Sequence, residues 1–129
     1  MTTELHMLIW SVVLGLLQIA IAATCSVGQR GLTWATGARD EVKPPLSGIG
    51  GRFDRARANF VETFPLFLAV ILAAHLLQRH DGTTVLGAQL YFWARLAYVP
   101  VYVAGIPYLR TLIWAVSIVG IVLVLAALF

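Results

Sequence analysis

LHMLIWSVVLGLLQIAIAATCSV, residues 5–27, is an apolar run in which His6 is the one side chain able to carry a charge. A helix of this length crosses the ~30 Å hydrocarbon core of a bilayer. A cleaved signal peptide is the alternative, but no Lys or Arg stands before the run to form the basic leader that such a peptide needs. We therefore expect a transmembrane helix that is retained in the mature protein.

Three further apolar runs follow this one, at about residues 55–78, 84–104 and 109–128. The whole chain is 60% hydrophobic and 12% charged, a composition outside the range of soluble domains. Lipid offers no partner to an open sheet edge, so spanning segments this few in number must be helical. The sequence predicts an all-α membrane protein with a single domain over residues 1–129, built as a bundle of four transmembrane helices.

The segment between the first two runs carries most of the basic charge. Residues 28–53 mix glycine, proline and charge and are predicted to form the one extended loop. Six of the nine Lys and Arg residues lie in this loop or just after it: Arg30, Arg39, Lys43, Arg52, Arg55 and Arg57. Because cytoplasmic loops of membrane proteins are enriched in Lys and Arg, we expect the loop in the cytoplasm and both chain termini outside.

Polar side chains recur at helical spacing inside the second and third runs. In the second run the polar residues stand at i, i+4 and i+7, as Arg55, Asn59 and Glu62. In the third run they stand at i, i+3 and i+7, as Arg95, Tyr98 and Tyr102. Each set therefore shares one helix face. A guanidinium in lipid costs about 2.5–3.5 kcal/mol. We therefore expect the two faces to meet, with Glu62 as the partner of Arg95.

Two interpretations of these polar faces remain open. They form either a buried clasp that fixes the register of the helices or a site for an anionic ligand. Four arginines gather near one level, with Glu62 as the one nearby carboxylate: Arg55, Arg57, Arg95 and Arg110. The excess of positive charge favours the anionic ligand.

Other classes of site are not supported by the sequence. The three histidines, His6, His75 and His80, are too scattered for a metal centre, so no metal is expected. The basic residues are concentrated in one membrane loop and do not cover a soluble face, so no nucleic-acid partner is expected.

The polar motifs resemble those of the MAPEG family, the membrane-associated proteins in eicosanoid and glutathione metabolism. The resemblance is carried by R-x-x-x-N-x-x-E-x-x-P at 55–65, by ARLAYVPVY at 94–102 and by Arg110. It extends over nearly the whole chain. GIPYLRTL at 105–112 is most similar to bacterial members, which implies a bacterial inner membrane.

The resemblance implies a homotrimer that binds glutathione as co-substrate on the cytoplasmic side, between adjacent subunits. It assigns Arg110 the catalytic role of stabilising the glutathione thiolate. Contacts to the tripeptide are assigned to Arg55, Asn59, Glu62, Arg95, Tyr98 and Tyr102, with Arg30 and Arg57 as additional candidates.

The implied function is that of a glutathione transferase or peroxidase. Its thiolate attacks a hydrophobic electrophile or a lipid hydroperoxide that arrives from the membrane lipid. Two alternatives remain: a non-catalytic subunit that keeps the fold within a larger complex, and a scaffold whose basic loop binds anionic lipid.

Overall fold

The computed structural model describes all 129 residues and consists of four long helices and one short helix. In chain order these are α1 (Thr3–Arg30), α2 (Leu32–Thr36), α3 (Gly48–Leu76), α4 (Gly82–Ala104) and α5 (Pro107–Ala127). The chain contains no β-strand. The prediction of an all-α fold is confirmed.

Three of the long helices, α1, α3 and α5, are long and apolar enough to cross a membrane. Helix α4 is 23 residues long, but no stretch of it is as apolar as those of the other three, and Gln89 and Arg95 lie within it. That α4 also spans the membrane stays a prediction.

The ends of the helices follow from local chemistry. The Thr2 hydroxyl accepts a hydrogen bond from the Leu5 amide at 3.2 Å and caps α1. Asp81 and Thr84 form a reciprocal capping box at the start of α4. Gly105, with φ of 78°, ends α4 in a left-handed conformation, and Pro107 occupies the first turn of α5. The turn between these two helices is therefore short, which makes them antiparallel neighbours.

The predicted loop over residues 28–53 is wrong in its bounds, because it contains α2 and because α3 begins at Gly48. The first turn of α3 lies against the end of α1. Gln29 receives a hydrogen bond from the Ser47 amide and donates one to the Ser47 carbonyl, both at 2.9 Å. A Cβ atom at Gly50 would lie 2.6 Å from Nε2 of Gln29, so glycine is needed for this approach.

The apolar core lies where α1, α3, α4 and α5 meet. The rings of Phe67 and Tyr91 stack at 4.0 Å and are fully buried. Helices α4 and α5 pack very closely, since a Cβ atom at Gly87 would lie 2.6 Å from the Gly120 carbonyl oxygen. This close contact fixes the position of α5, and hence of the residues at its first turn.

A buried carboxylate joins α1 to α4 at the end of the bundle that holds the N-terminus. Glu4 is 2% exposed. Its Oε1 accepts a hydrogen bond from the Thr84 hydroxyl at 2.6 Å and lies 3.3 Å from Nδ1 of His80. All three groups therefore have partners within the chain.

Candidate functional site

The polar faces of α3 and α4 meet at the other end of the bundle, as expected. Arg95 is 1% exposed, and its Nη1 donates to Oδ1 of Asn59 at 2.8 Å. Its guanidinium carbon lies 4.3 Å from the centre of the Tyr98 ring. A cation held over an aromatic face is stabilised by the ring quadrupole. Nε and Nη2 of Arg95 have no hydrogen-bond partner in the chain.

The expected pairing of Arg95 with Glu62 is wrong. Glu62 is exposed and makes neither a hydrogen bond nor an ion pair. Three residues along a helix rotate a side chain by about 300°, so Asn59 and Glu62 lie about 60° apart around α3. Asn59 faces α4, whereas Glu62 faces outward.

Tyr102 contacts two arginines at the same end of the bundle. Arg55 donates from Nε to the Tyr102 hydroxyl at 3.1 Å. The guanidinium carbon of Arg110 lies 4.8 Å from the centre of the same ring. The rings of Tyr98 and Tyr102 are 5.6 Å apart, so they connect Arg95 to Arg55 and Arg110.

A cavity of about 240 Å³ opens beside these rings, between α3, α4 and α5. Five residues line it: Asn59, Tyr98, Arg110, Thr111 and Trp114. Sequence reasoning missed Thr111 and Trp114. The sequence contains a signal for both residues. Trp114 stands at i+4 from Arg110, on the same face of the helix, and Thr111 stands beside Arg110 at i+1.

Arg30 and Arg57 do not join this cavity within the single chain. Arg57 forms an ion pair with Asp54 at 2.9 Å. Arg30 donates from Nε and Nη2 to the Pro44 carbonyl oxygen at 3.2 and 3.1 Å. Both line a separate cavity of about 590 Å³ between α1, the following loop and α3.

The charge balance of the site is one-sided. The ion pairs of the chain involve Lys43, Arg57 and His80, so Arg55, Arg95 and Arg110 have no carboxylate partner. Guanidinium groups make short, strong hydrogen bonds to carboxylates and can stabilise other anions. The arrangement is therefore able to bind an anion and to stabilise negative charge beside Arg110.

Comparison with known proteins identifies the family of the chain. The family model of the MAPEG family matches residues 7–129, nearly the whole chain. A comparison with curated proteins finds no match. The three apolar helices and the family match together identify the chain as an integral membrane protein that belongs to the MAPEG family.

Proposed function

We propose that this protein binds glutathione, lowers the pKa of its thiol and directs the thiolate onto a hydrophobic electrophile or a lipid hydroperoxide. Arg110 is the catalytic residue that stabilises the thiolate. Contacts to the tripeptide come from the polar faces of α3 and α4, with Arg95 acting through Asn59 because it is itself almost fully buried.

The observation that carries this proposal is the set of charges left without partners. Arg55 and Arg110 have no carboxylate partner, and Glu62 has no cationic one. Glutathione offers a carboxylate to Arg55, its thiolate to Arg110 and its ammonium group to Glu62. A simple monovalent anion would leave Glu62 unpaired, so a zwitterionic ligand fits the site better.

The proposed chemistry requires a moderate electrostatic effect. An ordinary thiol has a pKa near 8.5, and a nearby cation lowers it. A decrease of about two units corresponds to ~2.7 kcal/mol of preferential stabilisation of the thiolate. A guanidinium within a partly dry cavity supplies an effect of this size.

The electrophile is expected to reach the thiolate from the lipid. An apolar cavity of about 210 Å³ lies between α1 and α3 and is lined in part by Gly15, Phe60 and Phe64. The Phe60 ring centre is also 5.7 Å from the Arg95 guanidinium carbon. The same ring thus separates an apolar cavity from the charged site, a placement that suits a substrate with an apolar body.

The outward charges support assembly into the homotrimer that the resemblance implies. Arg55 and Glu62 are exposed on α3, within the second apolar run of the sequence. Charged groups that face lipid are costly. A neighbouring copy would cover them and would also bring its own Arg30 and Arg57 toward the ligand, since those residues lie on another face of each chain.

One observation favours the alternative of a non-catalytic subunit. The contacts of Arg95 to Asn59 and Tyr98 lie wholly within the chain. Such a contact fixes helix register on its own. A non-catalytic subunit would still need these three residues for helix packing, but it would not need Glu62 or Arg110.

Titration with glutathione separates the two functions. The detergent-purified protein is titrated while the ultraviolet absorbance of the thiolate is followed, and S-methylglutathione serves as a control that binds without forming a thiolate. We expect saturable absorbance with glutathione and none with the methylated analogue. Absence of binding at millimolar glutathione would reject the enzyme and support the non-catalytic subunit.

A further inference from the structure

The cavity between α1, the loop and α3 is separate from the Asn59–Tyr98–Arg110 cavity and shares no lining residue with it. Three arginines and one aspartate line it: Arg30, Arg39, Arg57 and Asp54. Its net charge is therefore 3 − 1 = +2. The facing wall is apolar and is formed by α1, from Ile19 to Val27. Such a combination suits an oxyanion attached to a larger molecule.

Trp34, in the short helix α2, holds two of these arginines. The guanidinium carbons of Arg30 and Arg39 lie 5.2 and 5.1 Å from the centre of the Trp34 ring. The indole nitrogen donates to the Glu41 carbonyl oxygen at 2.6 Å, which fixes the ring to the loop. Cation–π contacts to tryptophan are the strongest of their kind. Trp34 thus links α1 to the loop through two cations.

The backbone of Arg39 is held in an unfavourable conformation. Its φ is 60°, in the left-handed region, where a residue with a Cβ atom is strained by about 1–2 kcal/mol. Nε and Nη2 donate to the Ala35 carbonyl oxygen at 3.2 and 2.9 Å and maintain this geometry. Strain of this type is often found where a side chain has a functional placement. Nη1 of Arg39 donates to no group of the chain and stays available to a ligand.

We propose that Arg39 is an anion-binding residue, positioned by Trp34, and that it completes a subsite for a carboxylate or phosphate with Arg30 and Arg57. The resemblance already suggested Arg30 and Arg57 as ligand contacts, whereas Arg39 and Trp34 are new. The anion has two possible sources. One is a carboxylate of glutathione held between two copies, which rests on the proposed function; the other is the phosphate of an anionic phospholipid.

The first arm of the test measures glutathione affinity in the full-length protein. The variants are Arg39→Ala, Trp34→Leu and both together, and Arg79→Ala is the matched control because its exposed side chain makes no hydrogen bond. We expect Arg39→Ala and Trp34→Leu each to weaken binding by about three- to tenfold, the range for one partly exposed contact to a charged group. The loss in the double variant should be smaller than the two single losses combined, because Trp34 acts in part through Arg39 and in part through Arg30.

A conservative variant separates a charge effect from a folding defect. Arg39→Lys should recover part of the affinity that Arg39→Ala loses, while all variants keep the melting temperature of the unmodified protein within a few degrees. Equal losses in Arg39→Ala and Arg39→Lys would assign the residue a packing role and overturn the proposal.

The second arm measures retention of phosphatidylglycerol and of phosphatidylcholine by native mass spectrometry. Preferential loss of phosphatidylglycerol in Arg39→Ala, with glutathione affinity unchanged, would support the subsite and identify its anion as a lipid phosphate. No change in either ligand would overturn the proposal. If the unmodified protein binds no glutathione at all, the proposed function fails, and the lipid arm still decides whether the subsite exists.

Discussion

The two ends of the helix bundle differ in whether their charged side chains have partners within the chain. At the end that holds the N-terminus, the Glu4 carboxylate is buried and is matched by Thr84 and His80. At the other end, three guanidinium groups lie close to two tyrosine rings without a carboxylate partner. A polar group whose hydrogen-bond partners belong to the chain contributes to the fold, whereas charged groups without such partners are able to bind a ligand. The first end is therefore a structural contact, and the second is the site at which we propose that the ligand binds.

The largest effect is expected from Arg110→Ala, which removes the proposed thiolate stabiliser. Without the cation, the pKa of bound glutathione should return toward 8.5, and the thiolate would fall to a few per cent of the thiol at pH 7. Absorbance of the thiolate, recorded against pH, measures this pKa. Arg110 loses only its contact with the Tyr102 ring, worth about 0.5–1 kcal/mol, so the melting temperature should fall by no more than a few degrees. A full thiolate signal in this variant would assign the role to another arginine, with Arg55 the next to test.

The second effect is expected at the opposite end, from Glu4→Ala. Loss of the carboxylate removes the short hydrogen bond from the buried Thr84 hydroxyl, which keeps only the longer one to the Asp81 carbonyl oxygen at 3.0 Å. We expect a cost of about 1 kcal/mol in the free energy of unfolding. Denaturation in SDS, followed by circular dichroism, measures the change. Glutathione affinity should stay the same, because Glu4 lies at the far end of α1. A variant that lost affinity but not stability would contradict the division between the two ends.

The positions of the long helices follow from the sequence, because each is an apolar run bounded by polar or turn-forming residues. The partner of Arg95 does not follow. Asn59 and Glu62 lie on one polar face, about 60° apart around the helix axis. Which of the two faces Arg95 depends on how α3 is rotated against α4, and the sequence does not give this rotation. Electrostatics alone favours the Glu62 carboxylate as the partner of Arg95, but in the structure Asn59 faces α4 and accepts the hydrogen bond.

The start of α3 was also beyond sequence reasoning. Three glycines within residues 48–51 have a low helix propensity and indicated a loop. In the structure Gly50 allows α3 to approach Gln29, a contact between residues far apart in the chain. The position of Arg39 over Trp34 likewise depends on irregular backbone, for which no periodic pattern exists.

Glu62→Gln is expected to have an intermediate effect. It tests whether the exposed Glu62 carboxylate binds the ammonium group of glutathione. We expect about three- to tenfold weaker glutathione binding, which corresponds to about 0.7–1.4 kcal/mol for one exposed contact. Stability should not fall, since Glu62 has no partner within the chain. A glutathione analogue that lacks the amino group provides the control, because its affinity should be the same for both proteins. If Glu62→Gln lowers the affinity of this analogue as well, the carboxylate does not bind the ammonium group.

The smallest effect is expected from His80→Ala, which tests how the Glu4 contact is divided between its two partners. The Thr84 hydroxyl is fully buried and lies 2.6 Å from the carboxylate, whereas the His80 side chain is 30% exposed and lies at 3.3 Å. Solvent weakens the second interaction, so its removal should cost about 0.5 kcal/mol or less. Thr84→Val, measured by the same SDS denaturation, should cost more. A larger loss for His80→Ala would show that the carboxylate is held mainly by the imidazole.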